Sequence, residues 1–168
     1  MRNMIINILK VLMGLKSIAI SHTFPRLHNR KEEYMNTYTV EFRIEGSSLI
    51  PSNITKILEL TPSQTENIGE SINPKRKNNA LWSYNGIFSE ENFTEQKWET
   101  LEEGLLYILE KLQPKANIIQ NKLNIYKRYL WCGHFQESFS GGPKFSPELL
   151  KKLAEFNTEL ILSNYCSD

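Results

Sequence analysis

From Thr37 to Gly46 apolar and polar residues alternate without a break. Tyr38, Val40, Phe42 and Ile44 fall on one side, and Thr39, Glu41, Arg43 and Glu45 on the other. A period of two marks a strand with one buried and one solvated face, so the sheet it joins is expected to be covered on one side only. Gly46 ends the run, and the pattern turns helical over 49–62, LIPSNITKILELTP. Pro51 sits in the first turn, Ile54, Ile57 and Leu58 make the apolar side, and Pro62 follows the end. Residues 63–79, SQTENIGESINPKRKNN, are polar and carry Gly69 and Pro74. They predict a long exposed loop of the kind that often holds function.

The segment 80–88, ALWSYNGIF, predicts a second strand with Trp82 and Tyr84 on one face. Thr100 and Glu103 then form a T-x-x-E capping box. It opens the longest helix, whose Leu101, Leu105, Ile108 and Leu112 keep a helical stripe. Pro114 should kink or restart it, with Ala116, Ile119 and Leu123 continuing an apolar side. A third strand is expected in IYKRYLWCGHF, 125–135, followed by a turn in SFSGGPKF. Ser146 as N-cap and Pro147 at the first helical position start a third helix, SPELLKKLAEF. The last strand is TELILSNY, 158–165, with Leu160 and Leu162 facing one way. The order β-α-β-α-β-α-β predicts an α+β two-layer sandwich, a four-stranded mixed or antiparallel sheet with helices on one face.

These segments also resemble a bacterial family. YTVEFRI and its glycine, GE with KRKNNALWS, LQPKA at the end of the long helix, LWCGHF and SPELLKKLA are similar to the family catalogued as domain of unknown function 4279. The resemblance covers roughly residues 36–165. Leu81-Trp82-Ser83, Leu130-Trp131-Cys132-Gly133 and Ser146-Pro147-Glu148-Leu149-Leu150 carry most of it. It departs at Ile50, where the similar sequences have an Asp-like helix cap. The resemblance implies no particular activity; small domains of this kind often accompany bacterial toxins as immunity proteins, which is a fold-level analogy.

A chain of 168 residues with 40% hydrophobic and 23% charged content fits one globular domain. The overall charge of +1 hides an asymmetry. Residues 1–34 hold six basic and two acidic side chains, a net +4, which leaves 14 basic and 17 acidic in the remainder, a net −3. A mildly acidic domain is poorly suited to phosphate backbones, which excludes nucleic acid as the expected partner. The apolar stretch MRNMIINILKVLMGLKSIAISHTF is interrupted by Asn7, Lys10 and Lys16 and is too short and broken to span a bilayer. Three readings of it stand: a secretory signal, an amphipathic extension with Ile5, Ile8, Leu9, Leu12 and Leu15 on one side, or a translated leader. The leader reading fits best, because RKEEYM (30–35) is what a purine-rich ribosome-binding site before a start codon spells in frame. The expected organisation is a non-native or disordered extension over 1–34 and a single domain over 35–168.

Candidate chemistry is sparse. The two cysteines read as free thiols in a reducing compartment, so a cytoplasmic location is expected. Cys132 and His134 lie two apart in a strand and share a face. A thiolate–imidazole dyad needs a third orienting group, and a zinc site needs three or four ligands. The simpler reading is a small buried hydrophobe and a histidine at a strand end, with no catalytic residue, metal or cofactor expected. Glu99, Glu102 and Glu103 complement a helix dipole. FSGGPKF lacks the spacing of a P-loop or dinucleotide site.

Two clusters remain. Lys75, Arg76 and Lys77 in the long loop, with Lys144, are candidates for binding an anion. Tyr129, Trp131, Arg43 and Trp82 are candidates for binding a partner, since exposed Trp, Tyr and Arg anchor interfaces. The pattern leaves open whether Trp131 or Cys132 faces the core. A non-catalytic protein-binding module, possibly in the manner of a toxin-immunity protein, is the function expected first. A small-molecule or anion sensor comes second and a cysteine–histidine enzyme third. The oligomeric state is not legible.

Overall fold

A computed structural model describes residues 36–87, 97–136 and 141–166; the extension expected over 1–34 lies outside the described residues. The chain runs β1 (Thr37–Gly46), α1 (Pro51–Leu58), β2 (Gln64–Glu66), a 3-10 turn (Pro74–Arg76) and β3 (Ala80–Tyr84). It continues through α2 (Leu101–Leu112), a 3-10 turn (Gln113–Lys115), α3 (Ala116–Asn121), β4 (Lys127–Gln136), α4 (Pro147–Phe156) and β5 (Glu159–Cys166). The strands form one five-stranded sheet in the order β2-β3-β1-β4-β5. All neighbours are antiparallel except β4 and β5, which are parallel and joined through α4. The fold is thus α+β with a mixed sheet, and it has one strand more than the sequence pattern predicts.

The extra strand is β2, inside the segment read as a loop. It has three polar residues, all outside the core, so it carries no alternation to betray it. The same segment also holds the Pro74–Arg76 turn, capped by Asn73 accepting from the Lys75 N–H.

The core lies between one sheet face and the helices. From β1 it takes Tyr38, Val40, Phe42 and Ile44, the apolar half of the alternation. Leu130 and Cys132 of β4 point the same way, so Cys132 rather than Trp131 faces the helices. Each helix enters as its sequence dictates. Thr100 Oγ1 accepts from the Glu103 N–H at 3.3 Å, and Ser146 Oγ from the Leu149 N–H at 3.2 Å. Pro51 starts α1 from Ile50, whose extended backbone offers no side-chain cap. Pro114 stops α2 in a 3-10 turn, after which α3 resumes. Gly104 lets α2 close on β1, since a Cβ there would lie 2.7 Å from Val40 Cγ2 and 2.8 Å from the Trp98 ring. The opposite sheet face has no helix on it among the described residues.

Candidate binding face

The helix-free face is built from the other half of each alternation. Cross-strand pairing lines its residues up in rows: Ser83, Arg43, Tyr129 and Glu159 in one, then Glu41, Trp131 and Ile161. Thr39, Gly133 and Ser163 make the next row, and Thr37, Phe135 and Tyr165 the last. Trp131, Phe135, Ile161 and Tyr165 therefore form an apolar strip along β4 and β5. Trp131 is half-buried and its indole N–H donates to Ser163 Oγ at 3.0 Å. Phe135 and Tyr165 stack at 4.9 Å, and Tyr165 is 45% exposed.

Gly133 keeps the strip continuous. A Cβ there would sit 2.6 Å from Thr39 Oγ1, 3.0 Å from Phe135 and 3.2 Å from Trp131. The two rings close over the space that a side chain would fill.

Cations border the strip. The Arg43 guanidinium lies 4.2 Å from the centre of the Trp131 ring, Lys97 Nζ 5.5 Å from Phe135, and Lys127 Nζ 5.1 Å from Tyr129. Such contacts are attractive because the ring face is electron-rich.

The carboxylates of the face are engaged within the molecule. Glu41 Oε2 accepts from Arg43 Nε at 2.8 Å and from Ser83 Oγ at 2.5 Å. Glu45, almost fully buried, accepts from the Tyr129 hydroxyl. Arg76 reaches across from its 3-10 turn, with Nη1 3.6 Å from Glu45 Oε1 and Nη2 3.6 Å from Glu66 Oε2. Lys127 pairs with Glu159 at 3.4 Å. Burial, reinforced by the neighbouring Glu45 carboxylate, pushes the Tyr129 hydroxyl well above the usual phenol range. It is therefore a proton donor to Glu45 and not a general base.

The residues singled out from the sequence divide accordingly. Arg43, Tyr129 and Trp131 come together on this face, although Tyr129 is buried, with its hydroxyl bonded to Glu45, rather than exposed. Trp82 requires correction as an interface residue. It is fully buried on the helix side, where its N–H donates to Thr55 Oγ1 at 3.0 Å. The strand alternation that places Trp82 beside Ile44 also carries it away from Arg43.

The four cations proposed to share an anion do not meet. Arg76 is engaged by Glu45 and Glu66, while Lys75 and Lys77 are exposed in the loop. Lys144 lines a separate cavity of about 510 Å³ with Tyr38, Glu99 and Glu102 at the start of α2.

Cys132 and His134 both face the helix layer. The Cys132 thiol is fully buried, and burial pushes its pKa up to about 12, so it is not a nucleophile. His134 is 2% exposed, stacks on Tyr38 at 4.6 Å, and its ring nitrogens lie 3.1 Å from the side-chain oxygens of Asn164 and Asn36. No group of three or more potential metal ligands occurs among the described residues. None of the described helices is long and apolar enough to cross a membrane.

Sequence reasoning missed Glu45, Glu66 and Ser83, whose partners are remote in the chain. It also missed Phe135, Ile161 and Tyr165, although the alternation of β4 and β5 with Trp131 as reference would have placed them on its face. No curated protein and no solved structure matches the chain. A family model does match, over residues 36–167, and the chain belongs to the family described as Domain of unknown function (DUF4279).

Proposed function

We propose that this chain is a non-catalytic protein-binding module that meets its partner with the β4–β5 half of the helix-free sheet face. One observation carries the reading: an aromatic strip bordered by cations lies on a face whose carboxylates are already paired. Aromatic residues and arginine supply most of the energy of known interfaces. Glu41, Glu45 and Glu66 are engaged within the molecule by Arg43, Arg76, Ser83 and Tyr129. A partner matching this face would offer apolar side chains to the strip and carboxylates to Arg43 and Lys97. A toxin bound by its immunity protein is one such partner by analogy of fold. The buried, unbridged Cys132 thiol supports a reducing, cytoplasmic setting.

The test is affinity capture with the full chain from lysate of the cells that make it, in parallel with Tyr165→Ala. Tyr165 is exposed enough for truncation to spare the fold, which circular dichroism would verify. A single stoichiometric protein whose recovery falls at least tenfold with Tyr165→Ala is the expected result. Recovery unaffected by this change, or no partner at all, refutes the reading.

A further inference from the structure

The two edges of the sheet are treated differently. β2 closes one edge with three polar residues, and Arg76 lies over it through Glu66. β5 forms the other edge with eight residues, ELILSNYC, that contain no proline, lysine or arginine. Leu160 is 37% and Leu162 39% exposed on the helix side, and Leu150 of the neighbouring α4 is 51% exposed. Long apolar edges normally carry charges, prolines or bulges that prevent pairing. No other strand pairs with the outer edge of β5 among the described residues.

We propose that β5 pairs antiparallel with β5 of a second copy, giving a two-fold dimer with a continuous ten-stranded sheet. The occupant follows from the symmetry. Opposed residues in an antiparallel pair share a face, so the two-fold must pass at a residue and not between two. Centred on Ser163, it sets Leu162 against Asn164. Centred on Leu162, it sets Leu160 against Asn164 and Ile161 against Ser163. Centred on Ile161, it opposes Ile161 to itself and Leu160 to Leu162 twice, matching apolar with apolar on both faces. Only the last register seals the exposed leucines against each other, and such pairs stabilise sheets. Charge does not oppose it: the strand's one ionic group, Glu159, would face Ser163 and is already paired with Lys127. The register engages five residues of each strand, Glu159–Ser163, roughly 16 Å at about 3.3 Å per residue. That is a small interface of the weak or transient class, which sets the concentrations needed to see it.

Sedimentation of the full chain from about 10 µM to about 500 µM spans the affinities such an interface gives. The mass is expected to rise from 19.6 kDa towards twice that value. Ile161→Lys and Ile161→Glu should each remain monomeric at concentrations where the parent is dimeric, because like charges then oppose each other. An equimolar mixture of the two should dimerise again, which also proves both are folded. As a milder probe, Ile161→Cys in a Cys166→Ser background should form a disulfide-linked dimer on oxidation, since directly opposed strand residues lie within disulfide reach. A monomer at every concentration, including one whose β5 edge is taken by another segment of the chain, overturns the proposal. So does a dimer indifferent to all three Ile161 changes. Tyr165 lies beyond the stretch paired in this register, Glu159–Ser163, so its partner capture reads other contacts and either proposal can fail alone.

Discussion

At the scale of single residues, Gly133 shows how one missing side chain shapes the helix-free face. Its neighbours across and along the strands, Thr39, Trp131 and Phe135, occupy the volume a Cβ would need. Gly133→Ala should therefore destabilise the domain by about 1–3 kcal/mol, the usual cost of overpacking, read as a lower urea midpoint. The closest atom is Thr39 Oγ1, a buried hydroxyl with no hydrogen-bond partner among the described residues. Removing it creates the missing room without breaking such a bond. The pair Thr39→Ala and Gly133→Ala should thus be more stable than Gly133→Ala alone. Additive losses would show that the strain lies with the rings instead. Cys132 marks the opposite case, a side chain whose sequence neighbourhood invites chemistry that its burial denies.

At the scale of elements, α1 is, among the described helices of eight residues or more, the one that starts without a side-chain cap. Ile50 already has the extended backbone of an N-cap and is 55% exposed, so its side chain contributes little burial. Ile50→Asp would give the first turn an acceptor and a favourable charge. It should stabilise the domain by about 0.5–2 kcal/mol, seen as a raised thermal midpoint; an unchanged midpoint would mean that Pro51 and the packing of Ile54 and Leu58 alone set that start. The caps at Thr100 and Ser146 were legible because a cap and its donor lie three residues apart. Ser146 also shows where legibility stops. Its N–H and hydroxyl both donate to Glu102 of α2, at 3.1 and 2.6 Å, a contact across 44 positions that no local pattern announces. The same reasoning explains β2 and the Arg76 bridge. Alternation reveals a strand only when one of its faces is buried, and an ion pair between Arg76 and Glu45 becomes visible only when β1 and the loop meet. Likewise the sequence could align Tyr129 with Trp131, but the bond from its hydroxyl to Glu45 spans 84 positions.

At the scale of the whole molecule, the separation of an apolar helix-covered face from a polar face carrying buried groups predicts how stability depends on pH. Cys132 on one face and Tyr129 on the other both have folded-state pKa values raised above their unfolded values, chiefly by burial. A raised pKa means that the folded state holds its proton where the unfolded state has released it. The contribution is fully present below the unfolded values, near 9 for the thiol and 10 for the phenol. It is lost as pH rises through the gap towards the folded value, about 12 for Cys132. Within that window each group should lower the unfolding free energy by up to about 1.4 kcal/mol per pH unit. Urea titrations between pH 7 and 11 should show a plateau followed by a steep alkaline fall. Cys132→Ala would start from a lower plateau, because it leaves a small cavity, yet its fall should begin later and be shallower. Tyr129→Phe should flatten the upper part of the limb in the same way while freeing Glu45 of its donor. An alkaline limb with the parent's slope in both variants would mean that these two buried groups do not govern it.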